Sequence, residues 1–222
     1  MKLTLPSKIS LSRLYLALVL FALYSLTYIE RLNVQVPYLH FSYIDLACAF
    51  LFGGAALTDL FDGRIARKRN LVSTFGKFID PIADKFLING TFILLSTRLD
   101  SNGHFYLFPV ITVLFIGRDI ILDGLRFILA SKNVVLAANK FGKLKTILQS
   151  AVIPIILLNG FPFSLIGLAF EEFYDYIYIL TNALACATLF MSIFSFIVYF
   201  KQCSYIFKEE KGDEKWVFMT NY

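Results

Sequence analysis

Long apolar stretches alternate along the chain with short polar and charged segments. A helix needs about 20 apolar residues to cross about 30 Å of hydrocarbon, so each long stretch predicts a transmembrane helix. Six spans are predicted: 14–29, 41–60, 78–97, 105–130, 146–170 and 176–200. Pro154 is expected to kink the fifth span and Pro162 to end it. The predicted fold is therefore an all-α, polytopic membrane protein with six transmembrane helices.

The composition and the charge distribution support this prediction. Hydrophobic residues make up 58% of the 222 residues and charged residues 17%, against about 45–50% and about 25% in soluble domains. Of the 21 basic residues, all but Arg31 and Arg98 fall on the side of the two termini, which is therefore predicted to be cytoplasmic. This distribution explains the net charge of +5 without nucleic acid as a partner. Residues 1–200 are predicted to form the membrane domain and residues 201–222 a polar cytoplasmic tail.

Four aspartates lie where the second and third predicted spans meet. Asp59 and Asp62 are three residues apart, and Asp80 and Asp84 four, so each pair shares one helical face. The short connection predicts that the two helices are antiparallel neighbours, which would bring the pairs together. Four like charges in a membrane require a cation between them. Carboxylate oxygens suit Mg²⁺ or Mn²⁺, and a two-metal site could clamp a phosphoryl group.

Residues beside these acids favour a phosphate-bearing ligand. Gly63 and Ala66 remove side-chain bulk next to Asp62, and Gly76 permits close helix packing. Arg67 offers a planar fork that can bind phosphate oxygens. The alternative is that the acids are solvated helix-end charges paired with nearby arginines and lysines. Eight fixed residue types at fixed spacings at a membrane interface favour a metal and phosphate site over this alternative.

The segment Asp59-x-x-Asp62-Gly-x-x-Ala-Arg67, eight residues, Gly76-x-x-x-Asp80-x-x-x-Asp84 resembles the signature of the CDP-alcohol phosphotransferases. This resemblance implies a membrane enzyme that binds a CDP-linked donor and two divalent metal ions and releases CMP. It also implies that the enzyme is a homodimer. It implies that the four aspartates bind the metals and that Asp84 is also the general base. The residues expected to bind CDP-diacylglycerol are Thr58, Gly63, Ala66, Arg67 and Gly76.

Three further segments are similar to bacterial members of the family that act on glycerol 3-phosphate. They are 6–13, in which Ser10 replaces the usual threonine and Arg13 is retained, 117–126 and 141–146. The basic residues expected to bind the acceptor are Arg118, Arg126, Lys143 and Lys145. The resulting expectation is transfer of a phosphatidyl group from CDP-diacylglycerol to glycerol 3-phosphate. The enzyme would lie in a bacterial inner membrane with its active site facing the cytoplasm.

Other functions stay open on the sequence. Within the family, a cardiolipin synthase would use phosphatidylglycerol as acceptor, and other members use other alcohols. A divalent-cation transporter or a catalytically silent scaffold would belong to a different class. A transporter is disfavoured because the charges gather at one face and the fifth and sixth spans carry none.

Overall fold

A computed structural model describes residues 5–29, 31–37, 39, 41–69, 74–99, 103–131, 140–167 and 174–219. This part of the chain is helical, with two isolated β-bridges and no strand, which confirms the all-α prediction. The α-helices are α1 (Leu5–Ser25), α2 (Tyr43–Arg69), α3 (Thr74–Thr97), α4 (Pro109–Ser131), α5 (Lys140–Leu157), α6 (Ser164–Gly167) and α7 (Tyr174–Met219). A 3₁₀ turn, Leu26–Tyr28, follows α1.

Two helical segments are long and apolar enough to cross a membrane, Ser10–Tyr28 and Tyr176–Lys201. Tyr43–Thr58 and Leu144–Leu157 are shorter apolar segments. Large apolar side chains also point away from the bundle: Phe50, Phe127 and Phe190 are 74%, 77% and 74% exposed. A surface this apolar is typical of a protein that faces lipid or a partner.

The fifth predicted span, 146–170, is wrong as a continuous helix. α5 runs through Pro154 but ends at Leu157, because Asn159 and Gly160 adopt positive φ angles of 46° and 84°. The Gly160 N–H donates to the Ile155 carbonyl at 2.8 Å, which closes the helix end. The turn lies before Pro162, the residue that the sequence favoured as the stop.

The last helix is longer than predicted. α7 has 46 residues and continues from the sixth apolar stretch through most of the segment predicted to be a separate tail. No proline interrupts the chain between Lys201 and Met219, so the helical hydrogen bonding can propagate. At about 1.5 Å per residue the helix is about 69 Å long, roughly twice the thickness of a bilayer core.

The helices pack around a core formed mainly by α1, α2, α3 and α5. Fully buried residues include Leu20, Phe52 and Ile153, and Phe92 of α3 stacks on Phe115 of α4 with 5.0 Å between ring centroids. Among the described residues, α2 and α3 make their extensive contacts with α1 rather than with each other. The predicted antiparallel contact of α2 with α3 would involve mainly the ends that the short connection joins. The side chains of residues 59–69 at that end lie outside the described part, so this contact stays a prediction.

A buried ion pair closes the end of the bundle opposite the four aspartates. Ser42 and Asp45 form a capping box at the start of α2: the Ser42 N–H donates to the Asp45 carboxylate at 2.9 Å, and the Asp45 N–H donates to the Ser42 hydroxyl at 3.1 Å. Arg98, just after α3, pairs with the same carboxylate. Its guanidinium lies 4.6 Å from the Tyr106 ring centroid. The pair ties α2 to the end of α3.

Candidate active site

The N-terminal helix holds the two acids of α3. Ser10 and Arg13, one turn apart on α1, donate to Asp80 and Asp84 respectively. Both donors are 3% exposed, whereas the Asp84 side chain is 36% exposed. The first helix therefore fixes the face of α3 that carries the acids and leaves Asp84 accessible. This contact explains why a serine and an arginine stand three residues apart in the 6–13 segment.

A polar cavity of about 280 Å³ lies beside Asp84, between α3, α4, α5 and α7. We call it the polar cavity. Its lining includes three of the four basic residues predicted to bind the acceptor: Arg118, Arg126 and Lys145. The fourth, Lys143, lies on α5, but its side chain is outside the described part. The structure thus brings most of the predicted basic cluster together with Asp84.

Asp119 organises two of these cations. Its Oδ1 accepts from Arg118 Nη1 at 2.9 Å and also from Lys145. All three side chains are at most 10% exposed, and Arg118 Nε additionally donates to the Ser192 carbonyl of α7 at 3.2 Å. Buried cations held by fixed partners form a preorganised anion site.

Arg126 completes the basic lining in a different way. Its guanidinium lies 5.3 Å from the ring centroid of Tyr199 on α7. Among the described side chains no acid pairs with it, whereas the neighbouring Lys85 pairs with Asp123. Arg126 is therefore held by an aromatic face, and its N–H donors remain available for an anion.

A second cavity, the apolar cavity, also borders Asp84. It measures about 300 Å³ and is enclosed by α1, α2, α3 and α5. Its lining is mostly apolar and includes Phe52, Ala56, Leu87 and Ile147. Asp84 lines both cavities. A carboxylate thus stands between a charged compartment and an apolar one.

The remaining signature residues lie on α2 and at the start of α3. Asp59, Asp62, Gly63, Ala66 and Arg67 all fall within α2, but their side chains are outside the described part of the structure. The Thr58 hydroxyl donates to the Gly54 carbonyl at 2.5 Å, one turn earlier. Gly76 is buried in the first turn of α3.

Two of the four predicted metal ligands, Asp80 and Asp84 of α3, have described side chains. Asp80 and Asp84 lie one turn apart on the face held by α1, and both present hard carboxylate oxygens. These donors fit Mg²⁺ or Mn²⁺. No three carboxylate, histidine or cysteine side chains converge within the described part of the chain. Metal binding by Asp59, Asp62, Asp80 and Asp84 therefore stays a prediction.

Comparison with known proteins identifies the family. The sequence pattern of the CDP-alcohol phosphatidyltransferases matches residues 3–194. This range includes every charged residue that lines the two cavities, and Tyr199 is the one lining residue beyond it. The chain belongs to the CDP-alcohol phosphatidyltransferase family. Within it, the chain is similar to proteins named CDP-diacylglycerol–glycerol-3-phosphate 3-phosphatidyltransferase. In Bacillus subtilis the identity is 37%, covering 76% of this chain and 83% of the relative.

Two other relatives of that name are also similar. The Mycoplasma genitalium protein is 41% identical, covering 68% of this chain and 61% of the relative. The Rickettsia bellii protein is 33% identical, covering 72% of this chain and 80% of the relative. The similarity thus extends well beyond the shared family signature.

Sequence reasoning missed two amides of this CDP-alcohol phosphatidyltransferase. Asn89 of α3 and Gln149 of α5 both line the polar cavity. Each stands four residues after a cavity lysine, Lys85 and Lys145, and so shares its helical face. The signal in the sequence was an amide one turn beyond a charged residue, within the apolar stretch that follows that residue.

Proposed function

We propose that this protein transfers the phosphatidyl group of CDP-diacylglycerol to glycerol 3-phosphate, which makes it a phosphatidylglycerophosphate synthase. The observation that carries the proposal is the position of Asp84 between the polar and the apolar cavity. A lipid donor needs an apolar compartment, a small phosphorylated acceptor needs a cationic one, and the two must meet at the reacting atoms. The names of the similar proteins support the same donor and acceptor.

The chain's own residues suffice to outline the reaction. The basic lining, with Arg118, Arg126 and Lys145, binds the acceptor phosphate, and Lys143 is proposed to join it. The oxygen of the acceptor's primary hydroxyl attacks the phosphorus bonded to diacylglycerol, and Asp84 takes the proton of that hydroxyl. The bond from that phosphorus to the bridging oxygen breaks, and CMP leaves with the electron pair. The products are phosphatidylglycerophosphate and CMP.

The donor is proposed to lie along α2. Thr58, Gly63, Ala66, Arg67 and Gly76 would bind its CDP group, with its acyl chains in the apolar cavity and the surrounding lipid. Asp59, Asp62, Asp80 and Asp84 would hold two Mg²⁺ or Mn²⁺ ions. Bound there, the ions would supply positive charge to the diphosphate oxygens. Ser10 and Arg13 hold Asp80 and Asp84 in place for this role.

The membrane arrangement is part of the proposal. Six membrane segments with both termini in the cytoplasm would place the basic residues on the inner side. The shortened α5 and the following α6 would together replace the fifth predicted span. The protein would reside in a bacterial inner membrane, with its active site facing the cytoplasm, as a homodimer. Residues 1–200 would form the catalytic membrane domain and residues 201–222 a cytoplasmic extension.

CMP release from CDP-diacylglycerol tests the proposal. The purified protein is assayed with glycerol 3-phosphate, phosphatidylglycerol, inositol 1-phosphate or serine, with Mg²⁺ or Mn²⁺ present. Release with glycerol 3-phosphate alone is expected. Release with phosphatidylglycerol alone would indicate a cardiolipin synthase. The absence of CMP release with all four acceptors would favour a transporter or scaffold.

The role of Asp84 is tested separately. Asp84→Asn keeps the size of the side chain but removes the proton acceptor, so turnover should fall by about 10²-fold or more. Asp123→Asn, which changes another acid of the same cavity, is the matched control. Turnover near the wild-type value in Asp84→Asn would rule out its role as the base.

A further inference from the structure

Three residues that line the polar cavity each carry a buried polar atom with no hydrogen-bond partner within the described part of the chain. The atoms are Arg118 Nη2, Gln149 Nε2 and Asn89 Oδ1. Gln149 is only 1% exposed. An unmatched polar atom at such a position is costly. A group that the cavity binds could satisfy all three.

The three atoms differ in chemistry, and the difference suggests the ligand. Arg118 Nη2 is a cationic donor and suits a phosphate oxygen. Gln149 Nε2 is a neutral donor and Asn89 Oδ1 a neutral acceptor, a combination that suits a hydroxyl group, which both accepts and donates. The cavity thus offers a neutral polar pair in addition to its anion-binding cations.

We propose that Gln149 and Asn89 recognise the secondary hydroxyl of the acceptor and so determine its specificity. The Gln149 N–H donates to the hydroxyl oxygen, and the hydroxyl donates to Asn89 Oδ1. This inference rests on the proposed function, since it assigns a subsite within the same cavity. Glycerol 3-phosphate carries such a hydroxyl between its phosphate and its reacting oxygen, whereas 3-hydroxypropyl phosphate is the same acceptor without it.

The location of the two amides agrees with this role. Gln149 lies one turn beyond Lys145 on α5, and Asn89 lies on α3, five residues after Asp84. Both helices also carry a charged residue of the cavity, so each amide is placed by an element that already contributes to the site. A site that is built to hydrogen-bond a hydroxyl discriminates strongly against the analogue lacking it.

The test compares the two acceptors in the wild type and in variants of the full-length protein. The wild type should use glycerol 3-phosphate with a kcat/KM about 5- to 100-fold above that for 3-hydroxypropyl phosphate, the range for a buried hydrogen bond left unmade. In Gln149→Met, which keeps the length of the side chain, the kcat/KM for glycerol 3-phosphate should fall by about that factor. The value for 3-hydroxypropyl phosphate should change less than about two-fold.

Two further variants distinguish the loss of a hydrogen bond from misfolding. Gln149→Asn withdraws the amide by one methylene, keeps its polarity and should show the same selective loss; Asn89→Leu should show it from the opposite helix. Gln35→Met, an exposed glutamine at the other end of the bundle, should leave both acceptors unchanged.

The outcomes separate the two proposals. Equal losses for both acceptors in the Gln149 variants, or no preference in the wild type, would overturn the hydroxyl subsite while leaving phosphatidyl transfer intact. A wild type that releases CMP with neither acceptor would overturn the proposed function itself.

Discussion

Removal of Arg98 should destabilise the bundle without removing any residue of the proposed site. The Arg98 side chain is 8% exposed and the Asp45 side chain is fully buried, so Arg98→Met would leave a buried carboxylate without its counter-ion. Asp45 would keep its hydrogen bonds from Ser42. Asp84 precedes Arg98 by fourteen residues, which is about 21 Å along a helix.

The size of the effect follows from the burial of the pair. Removing one partner of a buried ion pair lowers the free energy of unfolding by about 3–5 kcal/mol. Loss of the contact between Arg98 and the Tyr106 ring adds to this decrease. For a chain of this size, 1 kcal/mol corresponds to about 2–4 °C in Tm. The expected decrease in Tm is therefore about 6–20 °C.

Thermal unfolding in detergent, followed by circular dichroism, measures the decrease. The double variant Asp45→Asn/Arg98→Met removes both charges and keeps the capping geometry, so it should recover at least half of the lost Tm. Arg31→Met, which removes an exposed arginine at the same end, is the control and should shift Tm by less than about 2 °C. CMP release by Arg98→Met, assayed well below its Tm, should stay near the wild-type value.

Two results would refute this reasoning. A decrease in Tm below about 2 °C in Arg98→Met would show that the pair contributes little. A double variant no more stable than Arg98→Met would show that the loss comes from packing rather than from an unpaired Asp45.

Three other predictions concern the acceptor, the metals and the α5–α6 turn. Arg126→Gln should lower kcat/KM for glycerol 3-phosphate about 10- to 100-fold, mainly by raising KM, because one charge-assisted hydrogen bond to the phosphate is lost. The control variant Arg31→Gln, which changes an exposed arginine, should leave kcat/KM unchanged in the same acceptor titration. EDTA should abolish CMP release, and added Mg²⁺ or Mn²⁺ should restore it; full activity after exhaustive chelation would contradict the proposed metal site. Gly160→Ala should destabilise the fold by about 1–3 kcal/mol, because φ is 84° and the new Cβ would contact Ile177; an unchanged Tm in a detergent melt would contradict this.

Apolar patterning predicted where the helices lie, but it failed at the ends of α5 and α7. The segment 146–170 carries no charge, so its hydropathy does not reveal a break. The stop comes from backbone conformation at Asn159 and Gly160, for which asparagine and glycine are the common residues. Pro162, the stronger signal in the sequence, follows a helix that has already ended.

The positions of the charged residues in the sequence predicted that they would lie together. Arg118, Arg126 and Lys145 share a cavity with Asp84, as their positions at the same end of the bundle indicated. Their role in binding stays a prediction. The packing of α1 against both α2 and α3 could not be predicted, because a short connection limits the distance between two helix ends but does not specify which third helix packs against them.

Because Asp84 lines both the polar and the apolar cavity, one inhibitor could occupy both. A compound with a phosphonate in the polar cavity and an alkyl chain in the apolar cavity would pass Asp84 on its way from one to the other. Tethering the two fragments makes the second binding event intramolecular, so a linker of matching length raises the effective concentration of each fragment to the millimolar range. Two weak fragments could in this way combine into one tight, bivalent inhibitor.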